Sequence, residues 1–95
     1  MTYKLRFHVL AEKEWRKLDE TIRNPFKKKL EERLSEPRVP SAALRGMPDC
    51  YKIKLRKAGY RLVYHVEDAV IFVSVLAIGR RDKNEVYEDA ASRQP

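Results

Sequence analysis

The sequence contains one cysteine and two histidines, and no apolar run in it approaches the about 20 residues that a membrane-spanning helix needs. A lone thiol, Cys50, excludes an internal disulfide. Its simplest reading is a small, partly buried hydrophobe in a reducing compartment rather than a catalytic nucleophile. The opening residues Met1-Thr2-Tyr3-Lys4-Leu5-Arg6-Phe7 lack the apolar stretch of a signal peptide. These features together predict a soluble, cytoplasmic protein with no membrane partner. No Asp, Glu or His cluster has ligand spacing, so neither a metal nor another cofactor is expected. No repeat, low-complexity tract or long linker divides the 95 residues, and residues 1–95 are read as one compact domain.

What the chain has in excess is positive charge. Lys and Arg number 21 against 14 Asp and Glu, giving a formal charge of +7. On so small a body this favours polyanionic partners: nucleic acid first, acidic protein second, anionic membrane third.

Hydrophobic periodicity predicts the elements. Tyr3, Leu5 and Phe7 alternate with Lys4 and Arg6, as in a strand with one face on the core. Ala11, Trp15 and Leu18 then recur at helical spacing. Ile22, Phe26, Leu30 and Leu34 mark a second helix, interrupted by Pro25. Either Asn24 caps a helix beginning at Pro25, or the helix begins near Glu20 and kinks; the fit of Ile22 to the stripe favours the second. Lys27, Lys28 and Lys29, with Glu31 and Glu32 close behind, read as a solvated face. Pro37 and Pro40 end the helix, and a loop runs to Asp49.

The rest is β. Cys50 to Leu55 alternates strictly, with Tyr51, Ile53 and Leu55 on one side and Lys52, Lys54 and Arg56 on the other. A short turn at residues 57–59 predicts an antiparallel return over residues 60–66. Residues 70–78 are almost wholly apolar, as in a strand covered on both faces. Gly79 closes that strand, and Asp82 is expected to cap a last helix carrying Val86, Tyr87 and Ala90. The predicted fold is α+β, in the order β-α-α-β-β-β-α: a single small domain with a mostly antiparallel four-stranded sheet, two N-terminal helices on one face and a short C-terminal helix.

Alternation puts Lys52, Lys54 and Arg56 on one face, and the hairpin brings Arg61 beside them. Arg45 and Lys57 lie close in sequence, the end of the last strand supplies Arg80 or Arg81, and Tyr87 could overhang the patch. Crowded like charges are relieved when a polyanion binds. Cations with an aromatic ring suit single-stranded RNA. RNA carries its own nucleophile, the 2′-hydroxyl, so a protein need only align it, remove its proton and stabilise the phosphorane. Crowding lowers a lysine pKa toward a usable base, and arginine forks onto phosphate oxygens. His8 and His65 are weaker candidates: His8 lies at a strand–helix junction, and His65 stands four residues along the strand from Arg61.

The segments at residues 13–18 (Lys-Glu-Trp-Arg-Lys-Leu), 44–56 (Leu-Arg-Gly-Met-Pro-Asp-Cys-Tyr-Lys-Ile-Lys-Leu-Arg), 59–64 (Gly-Tyr-Arg-Leu-Val-Tyr) and the ending Gly79-Arg80-Arg81-Asp82 through Val86-Tyr87 closely resemble the RelE toxins of the RelE/ParE superfamily of type II toxin–antitoxin pairs. The resemblance spans essentially the whole chain. It implies a RelE-like, microbial-ribonuclease-type fold and a ribosome-dependent endoribonuclease that cuts mRNA in the ribosomal A site, with no metal. It implies a catalytic set of Lys52, Lys54, Arg61, Arg81 and Tyr87. In that set Lys54, helped by Lys52, is the base, Arg61 stabilises the phosphorane, Arg81 assists the leaving oxygen and Tyr87 stacks on the RNA. Lys13 and Arg45 resemble residues that touch 16S ribosomal RNA; Arg56, Lys57 and Arg80 are further candidates for RNA contact. The implied partners are the ribosome, mRNA, a RelB-like antitoxin and, only through that antitoxin, operator DNA. Two alternatives remain: a ParE-like gyrase poison, whose branch lacks this catalytic set, and a non-catalytic nucleic-acid-binding repressor module.

Overall fold

The computed structural model describes residues 2–83 and 85–95. The element order is β1 (Lys4–Phe7), α1 (Val9–Arg16), α2 (Glu20–Ser35), a 3-10 turn at Pro40–Ala42, β2 (Cys50–Leu55), β3 (Tyr60–Glu67), β4 (Phe72–Arg80), a 3-10 turn at Arg81–Lys83 and α3 (Glu85–Ser92). The strands form one sheet in the order β1-β4-β3-β2. The β2–β3 and β3–β4 pairs are antiparallel and β1 runs parallel to β4, so the sheet is mixed but mostly antiparallel, as expected.

The α1–α2 pair covers one face. Ala11, Phe26 and Leu30 pack there on Ile53, Leu62, Tyr64, Val66, Val73 and Val75. The other face carries a second cluster, in which Val86 and Ala90 of α3 meet Val63, Leu76, Ala77, Cys50 and Met47. Covering on both sides explains why Val73 and Val75–Ile78 of β4 are all apolar.

Helix α2 starts at Glu20 and continues through Pro25. Its cap is Asp19, whose Oδ1 accepts from the Glu20 N–H at 3.0 Å, and not Asn24. Burial of Phe26 and Leu30 holds the helix together across the proline. Beyond α2, the buried Tyr64 hydroxyl donates to the Pro37 carbonyl at 2.6 Å and accepts from Arg33 at 2.8 Å, pinning the loop to the sheet. Arg38 ties that loop to Asp49 and Asp68, at 2.8 and 2.7 Å.

Three expectations need correction. β4 begins at Phe72, because Ile71 takes a left-handed φ of 52° and belongs with the exposed Val70 to the turn. β1 is an edge strand and Leu5 is exposed, so only Tyr3 and Phe7 of its alternating set pack on the core. Asp82 lies inside the second 3-10 turn and α3 starts at Glu85, so it does not cap that helix; the adjoining position 84 lies outside the described residues.

A bulge sits in β4. Val63 faces Ala77 while Tyr64 faces Val75, leaving Leu76 as an extra residue. Both Leu76 and Ala77 therefore turn toward α3, and the parity of every later residue is inverted. Gly79 then faces α3, where a Cβ would lie 3.5 Å from that of Val86. A larger side chain would push the helix off the sheet.

Candidate functional site

The α3 face of the sheet is only partly covered, and its open part is cationic. Lys54 pairs directly with Arg61, which pairs with Gly79; one step along, Lys52 pairs with Val63 and then Ala77. Lys54 and Arg61 thus stand as cross-strand neighbours, with Cβ atoms about 5 Å apart, and like charges so placed repel. The Lys54 ammonium is held below the usual lysine range, first by Lys52, then by partial loss of water, and then by Arg56 and Arg61.

Arg61 is only 5 % exposed, and its Nη1 donates to the Tyr60 carbonyl at 2.9 Å. Among the described residues no carboxylate pairs with it, nor with Lys52 or Lys54. A buried guanidinium without a counter-ion is costly unless an anion arrives.

Two further elements close around this row. The Arg81 N–H donates to the Gly59 carbonyl at 2.9 Å, which fixes its position beside the β2–β3 turn and leaves its side chain exposed. Tyr87 is half-buried against the second cluster, on the same face as the lysines. Helix α3 is itself clamped. Arg93 donates to both carboxylate oxygens of Glu14 at 3.0 Å and to the Leu76 carbonyl at 2.9 Å, while Glu14 also accepts from the Ile78 N–H. This pair serves the backbone of β4 beyond the end of β1, where no neighbouring strand is left to bond it.

The face thus brings together Lys52, Lys54 and Arg61, with Arg81 and Tyr87 at its border. Arg45 stands at the rim, between Leu44 and Met47, both of which join the second cluster. Arg56 and Lys57 lie at the end of β2 and in its turn. Arg80 is not brought in. The bulge turns it to the opposite face, where its guanidinium lies 5.5 Å from the Tyr60 ring centroid. Lys13 projects from α1, which packs on β1 and β4, across the sheet from β2.

The weaker candidates have structural roles or lie elsewhere. The His8 Nδ1 accepts from the Leu10 N–H and caps α1. His65 pairs with Cys50 and Ser74 at the far end of β3. The Cys50 thiol is pushed up to about 11, chiefly by burial and secondly by Asp49, which makes it inert. Among the described residues no three His, Cys, Asp or Glu side chains group as metal ligands, and no helix is long and apolar enough to cross a membrane.

Sequence reasoning missed the Glu14–Arg93 clamp, whose partners lie 79 positions apart. It also missed Lys29, which approaches Lys54 and Arg56 from α2. The four-residue spacing of Pro25, Lys29 and Arg33, one position off the apolar stripe, was a signal that could have found the second.

The chain is similar over most of its length to known proteins. The family model described as "ParE toxin of type II toxin-antitoxin system, parDE" matches residues 5–85. The chain is 55 % identical to the mRNA interferase toxin RelE of Escherichia coli (strain K12), over 98 % of each chain. It is 48 % identical to a putative RelE-like toxin protein of Escherichia coli, again over 98 % of each. A free-state structure of an Escherichia coli RelE mutant superposes with a TM-score of 0.93 at 53 % identity, covering 100 % of both chains. RelE in the intact Escherichia coli RelBE toxin–antitoxin complex matches with a TM-score of 0.81 at 56 % identity, over 82 % of this chain and 95 % of that one.

Proposed function

The chain belongs to the RelE/ParE family of type II toxins, and from that membership and its unpaired cationic face we propose that it is an mRNA interferase: a toxin that cleaves messenger RNA and is held in check by a RelB-like antitoxin. The observation that carries the chemistry is the row Lys52, Lys54 and Arg61, crowded on one face with no acid to neutralise it. The RelE relatives favour this reading over gyrase poisoning, because they match nearly the full chain at 55 % identity.

The RNA carries its own nucleophile. The RNA 2′-hydroxyl attacks the adjacent phosphate, the 5′-oxygen leaves, and a 2′,3′-cyclic phosphate forms. Lys54, whose pKa is lowered chiefly by Lys52, takes the hydroxyl proton. Arg61 receives the charge that grows on the phosphorane oxygens. It is covered at present, so RNA binding must shift its neighbours before a phosphate can reach it. Arg81, beside the β2–β3 turn, stabilises the departing oxygen, which takes up a proton from solvent to become the 5′-hydroxyl. Tyr87 stacks on a base and orients the strand. Arg45, Arg56 and Lys57 hold flanking phosphates, and Lys13 contacts the ribosome from its separate position on α1. Arg80 contacts RNA only from outside the catalytic face.

This set has no histidine or carboxylate acid–base pair, so its chemistry on free RNA is weak. The ribosome supplies the missing part by holding the A-site codon in an in-line geometry. An acidic, partly apolar antitoxin segment would cover the cations and block RNA, and the toxin–antitoxin complex would bind operator DNA through the antitoxin. A domain spanning residues 1–95 acting in the cytoplasm completes the proposal. The test is cleavage of the same message, free and on stalled ribosomes. The expected result is cutting only on the ribosome, and equal rates on both substrates would refute it.

A further inference from the structure

The three lysines of α2 diverge. Lys27 faces a groove beside β1, which it shares with Glu31 and Arg23. Lys28 is exposed and lines neither of the grooves that Lys27 and Lys29 line. Lys29 turns the other way, toward the free edge of β2. There it lines two adjoining hollows, of about 470 and 310 Å³, which share Lys29, Lys54 and Arg56. The α2 wall is the stripe Thr21, Pro25, Lys29 and Arg33, spaced one helical turn apart; the strand wall is Lys52 to Lys57.

The charge of this groove is one-sided. Six cations line it (Lys29, Arg33, Lys52, Lys54, Arg56 and Lys57) and no acid does. Elsewhere Arg6, Arg16, Arg38 and Arg93 are all paired with carboxylates. Among the described residues none of the six groove cations is. Arg33 is already committed to the Tyr64 hydroxyl and the Lys52 carbonyl, at 2.8 and 3.2 Å, so its charge is fixed in the wall. β2 is an edge strand, and past its bridge from Ala43 to Tyr51 no strand pairs with its outer side among the described residues. The groove joins the catalytic face at Lys54, which belongs to both. A narrow track of unpaired cations that leads away from a phosphate-handling lysine suits a second, regularly spaced anion on the same polymer.

We propose that this groove binds the sugar–phosphate backbone of the messenger strand flanking the cleaved bond, with Lys29 as a phosphate ligand supplied by α2. The proposal rests on the mRNA-cleaving function above and extends it to a subsite. It distinguishes Lys29 from Lys28, which is adjacent in sequence and also exposed. Lys29 touches no reacting atom, so it contributes binding and not chemistry.

The experiment is single-turnover cleavage on ribosomes carrying a defined message, with toxin concentration varied. Lys29→Ala raises the half-saturating concentration about three- to tenfold, leaves the maximal rate unchanged and makes the salt dependence shallower by about one contact. Lys29→Glu gives a larger shift of the same kind, and Lys28→Ala and Lys28→Glu match wild type. With uncharged methylphosphonate linkages in place of the message phosphates flanking the cleaved bond, the Lys29 effect disappears. A Lys29→Glu protein that cuts like wild type overturns the groove assignment alone. So does an effect that persists on the neutralised message, since the phosphate would then be ribosomal. Lys29 variants with normal cleavage but weakened antitoxin binding assign the groove to an acidic protein segment and overturn it equally. A wild-type protein that leaves the ribosome-bound message intact overturns the function and the groove together.

Discussion

Replacing Arg93 by alanine should destabilise the protein far more than removing an ordinary surface ion pair. The Arg93 side chain is 10 % exposed and binds three acceptors: two oxygens of Glu14 and the carbonyl of Leu76. Leu76 is the extra residue of the β4 bulge, so its carbonyl depends on this contact. Alanine would leave that carbonyl without its donor and the Glu14 carboxylate with only the Ile78 N–H. Each buried polar group so abandoned costs about 1–3 kcal/mol, and a total of about 2–4 kcal/mol is expected. The exposed Arg16–Glu12 pair on α1 provides the contrast. Helix pairs of that kind are worth about 0.3–0.5 kcal/mol. For a domain of this size 1 kcal/mol moves Tm by about 4–8 °C. Arg93→Ala should then melt about 10–25 °C below wild type, and Arg16→Ala within about 4 °C of it. Thermal unfolding followed by circular dichroism reads both. Repeating the scan in high salt should erase the Arg16 difference and leave most of the Arg93 one, because screening acts on exposed charges. An Arg93→Ala protein that melts with Arg16→Ala would refute the clamp.

The remaining expectations concern the reaction. Arg61→Ala and Arg81→Ala should each slow the single-turnover chemical step by about a hundredfold or more, the scale for losing one transition-state stabiliser, with little change in ribosome affinity; wild-type rates would put the site elsewhere. If Lys54 is the base, its neutral form is active, so the rate should rise with pH and level off below the range of an ordinary lysine. Lys52→Ala removes the largest cause of the lowered pKa and should move that rise to higher pH; an unmoved profile would remove Lys54 from the role. Products should carry a 2′,3′-cyclic phosphate upstream and a 5′-hydroxyl downstream, and a single 2′-deoxy substitution at the attacking position should abolish cleavage. A 5′-phosphate on the downstream fragment would instead indicate attack by activated water.

The lysine row was legible because a strand has a period of two and β2 keeps it without a break. Lys52 and Lys54 had to share a face, and the short turn ending in Gly59, whose φ is 70°, had to bring Arg61 opposite them. Pattern also placed most helix boundaries, because Phe26 and Leu30 recur at the helical repeat and bury together. The histidines were legible for a similar reason: a residue at a strand–helix junction meets a free N–H, as His8 does.

What the sequence determined by itself is therefore local: the element order, the hairpin register and the side on which the β2 cations stand. What only the tertiary structure decided is whatever depends on an irregularity or on distant partners. Residues 70–78 are apolar on both faces, so alternation there carries no mark of the bulge at Leu76. Counted without it, Arg80 falls beside the lysines; with it, Arg80 lies over Tyr60 on the other side of the sheet. The choice between Lys28 and Lys29, and the meeting of Glu14 with Arg93, likewise depend on how α2 and α3 rotate as they dock. That rotation is set by close packing against the two faces of the sheet, a condition that no window of neighbouring residues contains.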